Sequence, residues 1–391
     1  MPEIILRDYQ AGMLHEVRRA YAKGHRAPLL VAPTGSGKTI TFCFIAANAS
    51  AKGNRTLILV HRRELLSQTS ATLDAFGVPH GRIAAGEPET DALVQVASVQ
   101  TLVRRLERMS WAPDLIVVDE AHHAVSTTGH GRVLAAFPSA RVLGVTATPQ
   151  RLDGRGLGVN AGGFFDAMIL GPSVAELIEL CYLSRPTTFA PRIALDLSGI
   201  RTVGGDYAKV SVAHAEHVAE TFRRAGYQAA SIDGTLDPES RAARIADLGA
   251  GKLNVLTSCE IISEGTDIPI VGAAILLRPT QSLALYLQQG GRALRPFPGK
   301  ERTIILDHVG NSARHGLLET PRDWALDAPK RTRQTEGEPA APVRQCDQCG
   351  AVHSPAPECP ECGFIYPVQR REIEEVAGRR PHGRQAGSRC R

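Results

Sequence analysis

The chain has 391 residues, 43% of them hydrophobic and 22% charged, enough to bury two cores of ordinary domain size and carry an appendage. No apolar run approaches a bilayer span, and the first ten residues lack the charged-then-apolar build of a secretory leader, so a cytoplasmic protein with no membrane partner is expected. A formal net charge of +5 is compatible with a polyanionic partner without demanding one, and the close grouping of four of the eight cysteines points to metal, not disulfides.

In chain order, residues 6–23 read as a helix with Leu14 and Val17 on its buried face. Gln10, within it, carries a carboxamide able both to donate to and accept from an adenine edge. The apolar run 28–31 then breaks into Ala32-Pro33-Thr34-Gly35-Ser36-Gly37-Lys38-Thr39 and reopens as a helix over 40–49. A strand, a glycine-rich turn and a helix start aim several backbone N–H groups and a positive helix end at one point, where phosphate oxygens sit. Lys38 would reach the β- and γ-phosphates, and Thr39 would offer its hydroxyl to Mg²⁺. Ala32 stands where the outermost glycine of such loops is expected, so the match rests on Gly35, Gly37, Lys38 and Thr39. Residues 56–60 form a buried strand that turns at His61-Arg62-Arg63 into a helix, and 94–97 form another strand, followed by Ser98-Val99-Gln100-Thr101. Residues 115–118 end in Asp119-Glu120-Ala121-His122, which places two carboxylates at the carboxyl edge of a parallel sheet. Asp119 would hold Mg²⁺, and Glu120 would orient and deprotonate an attacking water. The strand at 141–145 closes on Thr146-Ala147-Thr148-Pro149.

Beyond this, short apolar runs at 228–232, 255–257, 273–277 and 303–306 alternate with helix-like segments and predict a second parallel-sheet lobe. Asp237-Pro238 is a good helix opening. Between strands lie Ser263-Glu264-Gly265-Thr266-Asp267 and Gln288-Gln289-Gly290-Gly291-Arg292-Ala293-Leu294-Arg295. A stretch without periodicity over 327–344 reads as a linker. Cys346, Cys349, Cys359 and Cys362 then form two Cys-x-x-Cys turns whose four thiolates complete a tetrahedral Zn²⁺ shell, with iron the alternative metal; His353 is a bystander. The tail, 367–391, carries Arg379, Arg380, Arg384, Arg389 and Arg391 and is either a nonspecific phosphate contact or a solvated end.

Ala32 to Thr39, Asp119-Glu120-Ala121-His122 and Thr146-Ala147-Thr148 resemble motifs I, II and III of superfamily-two helicases of the DEAD/DEAH-box type, and the glycine- and arginine-bearing segments of the second half resemble motifs V and VI. The resemblance implies an α/β fold of two RecA-like parallel-sheet lobes with a small C-terminal zinc ribbon, divided as lobe 1 at 1–170, a shortened connecting segment at 171–210, lobe 2 at 211–326, a linker at 327–344, the ribbon at 345–366 and the tail. It also implies ATP as substrate, with Arg7 and Gln10 near the base and Thr34, Gly35, Ser36, Gly37, Lys38 and Thr39 around the phosphates. Arg292 and Arg295 would be arginine fingers, Gly265 and Asp267 a coupling loop, and Arg62, Arg63, Thr101, His122, Thr146, Thr148 and Gln288 the nucleic-acid and coupling residues. More narrowly, Thr148-Pro149-Gln150-Arg151-Leu152-Asp153-Gly154, the run 171–178, Leu306-Asp307-His308-Val309-Gly310-Asn311 and Arg314-His315-Gly316 look like the RadD-like bacterial and phage helicases.

Two departures stand out. Gln289 replaces an arginine common in relatives, and Gly204-Gly205-Asp206-Tyr207-Ala208-Lys209-Val210 runs straight into Ser211-Val212-Ala213-His214, where that group has a helical stretch and a strongly apolar strand. The first lobe offers five strand candidates and the second only four, so an incomplete or strained second lobe is expected. The reading is therefore a nucleic-acid-dependent ATPase and helicase acting on DNA in preference to RNA, in repair, recombination or phage DNA metabolism, with DNA-repair or replication proteins as partners. A double-strand translocase that does not unwind, and a hydrolysis-impaired binding scaffold, are the alternatives.

Overall fold

The computed structural model describes residues 5–151, 154–191, 202–203, 206–207, 211–259, 268–327 and 342–367. The first lobe runs α1 (Asp8–Ala22), β1 (Pro28–Val31), α2 (Lys38–Ser50), β2 (Thr56–Val60), α3 (Arg63–Ala75), β3 (His80–Ile83), β4 (Val94–Ser98), α4 (Val99–Arg105), β5 (Leu115–Asp119), α5 (Gly129–Ala136), β6 (Arg141–Thr146) and β7 (Ala167–Leu170). These seven strands form one parallel sheet in the order β3-β4-β2-β5-β6-β1-β7. Every residue of β1, β2 and β5 is buried, as expected for strands covered on both faces. Met13, Val17, Phe42, Leu66 and Leu73 pack on one face of the sheet, and Leu102, Val133, Leu134 and Phe165 on the other. Two strands exceed the five expected. His80–Ile83 is polar and partly exposed at an edge, whereas Ala167–Leu170 is apolar and closes the opposite edge beside β1.

The second lobe holds α6 (Val174–Glu179), β8 (Arg185–Phe189), a small hairpin of β9 (Thr202–Val203) and β10 (Asp206–Tyr207), α7 (Val212–Arg224), β11 (Ala229–Ile232), α8 (Pro238–Gly249), β12 (Val255–Ser258), β13 (Ala273–Leu276), α9 (Leu283–Ala293), β14 (Arg302–Asp307) and α10 (Asn311–His315). Among the described residues its parallel strands fall into two sheets: β11 pairs with β12, while β13, β14 and β8 belong to a separate five-stranded sheet. The strand expected to be missing falls instead just before Ser211, a stretch that lies mostly outside the described residues. Among the described residues no ladder joins β12 to β13, and the consequence is visible in burial. All four β12 residues are only partly buried and Ile275 of β13 is 38% exposed. A branched side chain left this open forgoes a sizeable part of the about 1.5–3 kcal/mol that full burial contributes.

The segment 171–210, expected to be merely a connection, supplies β8, a central strand of the lobe 2 sheet between β14 and the C-terminal module. Its Arg185-Pro186-Thr187-Thr188-Phe189 sequence conceals it, because proline and two threonines do not read as a buried strand. In the module, β15 (Arg344–Gln345) and β16 (Ala351–His353) add antiparallel strands to β8, with Ala351 opposite Phe189 and Val352 opposite Thr188. Gly350 O accepts from Ala190 N at 3.0 Å, Gln345 Nε2 donates to Ala190 O at 2.8 Å, and Glu361 pairs with Arg302 at 2.7 Å. The ribbon is thus built into lobe 2 and is no loose appendage. Residues 328–341 of the expected linker and the basic tail from 368 onward lie outside the described residues.

Contacts at several points bring the lobes together. Arg241 of α8 meets Glu64 of α3 at 2.7 Å. After α10 the chain returns to lobe 1, where Trp324 and Leu326 pack on its core and Asp327 accepts from Asn160 Nδ2 at 3.1 Å and Ala161 N at 3.2 Å. Residues 181–184 sit on the phosphate loop, as described below. Native-state hydrogen exchange should find the amides of β11 and β12 at least about tenfold less protected than those of β2 and β5. Equal protection in the two sets would show that the divided sheet is no weaker than the continuous one.

Candidate active site

The loop after β1 is fixed at both ends. Ala32 N donates to Thr146 O at 3.0 Å, tying the turn to the end of β6, and the Ala32 methyl is absorbed into the core, which explains why an alanine serves there. Gly35 (φ 94°) and Gly37 (φ 75°) adopt left-handed backbone that leaves α2 starting at Lys38 with its free amides facing outward. Lys38 Nζ folds back to donate to Ala32 O at 2.9 Å and Pro33 O at 3.1 Å. Thr34 and Thr39 flank it half-buried. Ser36 is fully buried, and its hydroxyl has no hydrogen-bond partner among the described residues.

From outside, α1 braces this loop. Gln10 is buried, accepts from Arg7 N at 3.0 Å and donates to Ser36 O at 3.4 Å, while Tyr9 OH donates to the same carbonyl at 2.9 Å. A Cβ on Gly37 would lie 2.4 Å from Gln10 Nε2, so the two are packed without slack. Gln10 therefore faces the phosphate loop with both ends of its carboxamide engaged, and Arg7 is exposed beside it.

At the end of β5, Asp119 Oδ1 accepts from Glu120 N at 3.0 Å, and Glu120 itself adopts φ 48°, a left-handed conformation costing on the order of 1–3 kcal/mol in a non-glycine residue. His122 Nδ1 lies 3.4 Å from Glu120 Oε2 and 3.1 Å from Thr146 Oγ1, and Thr146 Oγ1 donates to Thr148 O at 3.0 Å. The second carboxylate is thereby linked by polar contacts to the Thr146-Ala147-Thr148 turn. Burial, and then Glu120, pushes the Asp119 carboxyl up to about 7. Burial draws the Lys38 ammonium down to about 8 against the pull of Glu120 and Asp119. One half-buried lysine beside two buried carboxylates is an arrangement that a divalent cation between Thr39 and Asp119 would relieve.

Behind the carboxylates stands a feature that sequence reasoning missed. The rings of His61 and His123 are 4.5 Å apart, those of His122 and His123 4.1 Å, and those of His123 and His130 6.5 Å. Burial, reinforced by the neighbouring rings, holds His130 down to about 3, so it stays neutral in the stack. Two of these residues were visible beside recognised motifs, but their convergence depends on adjacent sheet strands.

Lobe 2 reaches the same loop through α9. Gly291 lies against Thr34, where a Cβ would come within 3.0 Å, and a Cβ on Gly35 would stand 3.6 Å from Arg295 Cδ and Nε. Arg292, in the last turn of α9, and Arg295 both lower the proton affinity of Lys38 through their charge. Gln288 is buried in the same helix. Gly265 and Asp267 lie outside the described residues. Arg62 and Arg63 open α3 and Thr101 lies in α4, at the carboxyl ends of the adjacent strands β2 and β4. Gln100 Nε2 donates to His61 O at 3.0 Å and joins the two starts into one rim.

A second candidate site is the cysteine module. The sulfurs of Cys346, Cys349, Cys359 and Cys362 all lie within 4.8 Å of one another, with Cys346–Cys362 at 3.6 Å and Cys349–Cys359 at 3.7 Å. Tetrahedral Zn–S bonds of about 2.3 Å require S···S edges of about 3.8 Å, so the donor set fits such an ion. Both ring nitrogens of His353 are engaged elsewhere, with Ser354 O at 2.7 Å and Tyr366 OH at 2.7 Å.

Comparison with known proteins is consistent with this geometry. The family model described as type III restriction enzyme, res subunit, matches residues 3–151, and that of the helicase conserved C-terminal domain matches 206–296. A 51.5 kDa protein of Lactococcus phage isolate 7-9 is 29% identical over 356 residues, covering 83% of this chain and 75% of its own. IRC3 of Saccharomyces cerevisiae, named as an ATP-dependent helicase, is 27% identical over 372 residues, covering 81% of this chain but only 53% of its own. Among solved structures, a fragment of an HsdR subunit of a type I restriction enzyme from Vibrio vulnificus YJ016 superposes with a TM-score of 0.61 at 20% identity, over 80% of this chain and 65% of that one. With a parallel-sheet lobe carrying the phosphate loop and paired carboxylates, and a second lobe bringing arginines to them, the chain carries a restriction-enzyme-type res domain followed by a helicase conserved C-terminal domain, as is consistent with a superfamily-two helicase.

Proposed function

We propose that the protein is an ATP-dependent DNA helicase or translocase in which both lobes build one hydrolytic site. The observation that carries this reading is the approach of Arg295, from lobe 2, to the glycine turn of lobe 1. ATP would lay its phosphates on the amides at the start of α2 with Lys38 as counter-charge, and Glu120 would accept a proton from the attacking water. Thr39 and Asp119 would hold Mg²⁺, which would supply positive charge to the phosphates. Arg292 and Arg295 would stabilise the charge that builds on the transferred phosphoryl group, and only while the lobes are closed. The rim formed by Arg62, Arg63 and Thr101 is the candidate backbone contact for the polymer. DNA is favoured because the matched family and the superposed structure are both described as restriction enzymes. Repair, recombination or phage DNA metabolism is the corresponding setting.

The divided sheet of lobe 2 favours a second reading, in which hydrolysis proceeds but drives translocation with little strand separation. Duplex DNA that accelerates hydrolysis without yielding displaced strands would select it over the helicase reading, and an ATPase indifferent to DNA and RNA alike would overturn both.

Zinc is proposed for the cysteine module, where it would hold the turns that dock β16 on β8.

Three outcomes are expected. Glu120→Gln lowers turnover by about 10²–10⁴ while ATP affinity, measured by titration calorimetry, stays within about threefold; undiminished turnover would remove Glu120 from the mechanism. Arg295→Ala lowers kcat by about 10³ or more with little change in ATP affinity, and a loss confined to KM would mean that the arginine only binds. Stripping the metal with a chelator raises hydrogen exchange in β8 and β14 but leaves β2 and β5 unchanged. Unaltered exchange in β8 would show that the ribbon docks without the ion.

A further inference from the structure

The helix that brings the arginines to the phosphate loop ends at Ala293, one turn short of Arg295, and the last carbonyls of a helix have no partner within it. Here three consecutive carbonyls are met by donors from elsewhere in the lobe. Ser184 N donates to Leu294 O at 2.7 Å, and Thr303 Oγ1 of β14 donates to Ala293 O at 2.9 Å. The Lys300 ammonium also donates to Ala293 O, and it reaches Arg295 O at 2.8 Å and Val271 O, ahead of β13, at 2.7 Å. Its three N–H bonds thus meet three carbonyls. Gly299, at φ 80°, and the Lys300 N–H on Phe297 O at 2.9 Å turn the chain back toward the helix end. Burial draws the Lys300 ammonium down to about 8, which leaves it charged at neutral pH. Next to Ser184, Leu183 is buried with its Cδ2 2.7 Å from where a Cβ on Gly35 would lie, so the end of α9 and the phosphate loop pack on the same turn.

On the ATP-site reading above, we propose that Lys300 is a positioning residue for Arg295: its ammonium clamps the carbonyl of Arg295 to those of Ala293 and Val271, and so fixes where the guanidinium stands at the phosphate loop. A lysine near a helix end commonly does no more than cap the last turn. This one also holds two carbonyls beyond the helix, one of them on an arginine of the hydrolytic site. Of the three donors, Ser184 and Thr303 hold the residues before Arg295, and Lys300 bonds the carbonyl of Arg295 itself. The clamp rests on the lobe 2 sheet, because Val271 leads into β13 and Lys300 into its neighbour β14. An arginine on a long flexible stem stabilises the transferred phosphoryl group only when its base is fixed, and a misplacement of about 1 Å costs about 10²-fold in rate. Lys300 touches neither nucleotide nor metal in this account and acts through the backbone alone.

The test is a double-mutant cycle on the full chain, read as steady-state hydrolysis of ATP with Mg²⁺ and saturating DNA, beside ATP affinity by calorimetry. Lys300→Met keeps the stem and removes the donors. It should lower kcat about 10- to 100-fold while KM and ATP affinity stay within about threefold. In an Arg295→Ala background the same change should alter kcat by less than about threefold, because no guanidinium is left to place. Undiminished kcat in Lys300→Met, a loss confined to KM, or the full loss repeated in the Arg295→Ala background would each overturn the proposal. If Lys300→Met also strips hydrogen-exchange protection from β14, the cycle is run with Lys300→Arg, which keeps the charge but cannot seat three carbonyls on one nitrogen, and the same non-additivity is expected. Arg295→Ala with undiminished kcat would instead bring down the reading of the hydrolytic site on which the proposal rests.

Discussion

The structure depends on a concentration of opposite charges in a largely buried site. A glycine turn and a helix start offer positive ends, and burial draws both Lys38 and, beside Glu120, Asp119 toward their neutral forms. Neither set of charges is comfortable alone, and each makes the other tolerable. The fold invests in holding this balance: α1 braces the turn through Tyr9 and Gln10, Thr146 O receives the amide of Ala32, and His122 connects Glu120 to Thr146. The last positive charges come from outside the lobe, on a helix whose glycine permits close contact with Thr34.

That dependence makes the position of lobe 2 the second constraint. Its arginines can act only where α9 meets the phosphate loop, and the contact is secured at several points. The Arg241–Glu64 pair, the return strap ending at Asp327 and the turn carrying Leu183 lie on different parts of the interface. A cavity of about 250 Å³ remains between the lobes, bounded by Ala32, Thr34, Gly171, Gly291 and Trp324, so closure is firm but not solid. The lobe held in this way is itself divided. On one side its parallel strands part between β12 and β13; on the other, β8 would present an open edge, and the cysteine module covers it with two antiparallel strands. An unpaired strand edge exposes a row of backbone donors and acceptors, and the ribbon removes one of the two. Burial follows the same pattern, with β14 and β8 largely enclosed and β12 half-open.

The parts of the candidate site were legible in the sequence because they are local. A glycine turn between a strand and a helix, two carboxylates at a strand end and paired Cys-x-x-Cys turns each act within a few residues, and their spacing is itself the physical requirement. The division between β12 and β13 was not legible, because the expectation of a missing strand rested on the stretch before Ser211 and not on the connection after β12. Likewise β8 was hidden by its proline and threonines, and β3 by its polarity, because tertiary packing overrides weak strand propensity.

Sequence alone determined which residues have the capacity for phosphate, water-activating and metal-binding chemistry, because those capacities belong to the side chains and their immediate backbone. Tertiary structure decided which of them meet. Tyr182 beside Arg7, the four histidines behind Glu120, Arg295 on Gly35 and the ribbon on β8 all join residues far apart in the chain. No local pattern encodes such meetings, since they follow from strand order and from the way two separate cores are brought together.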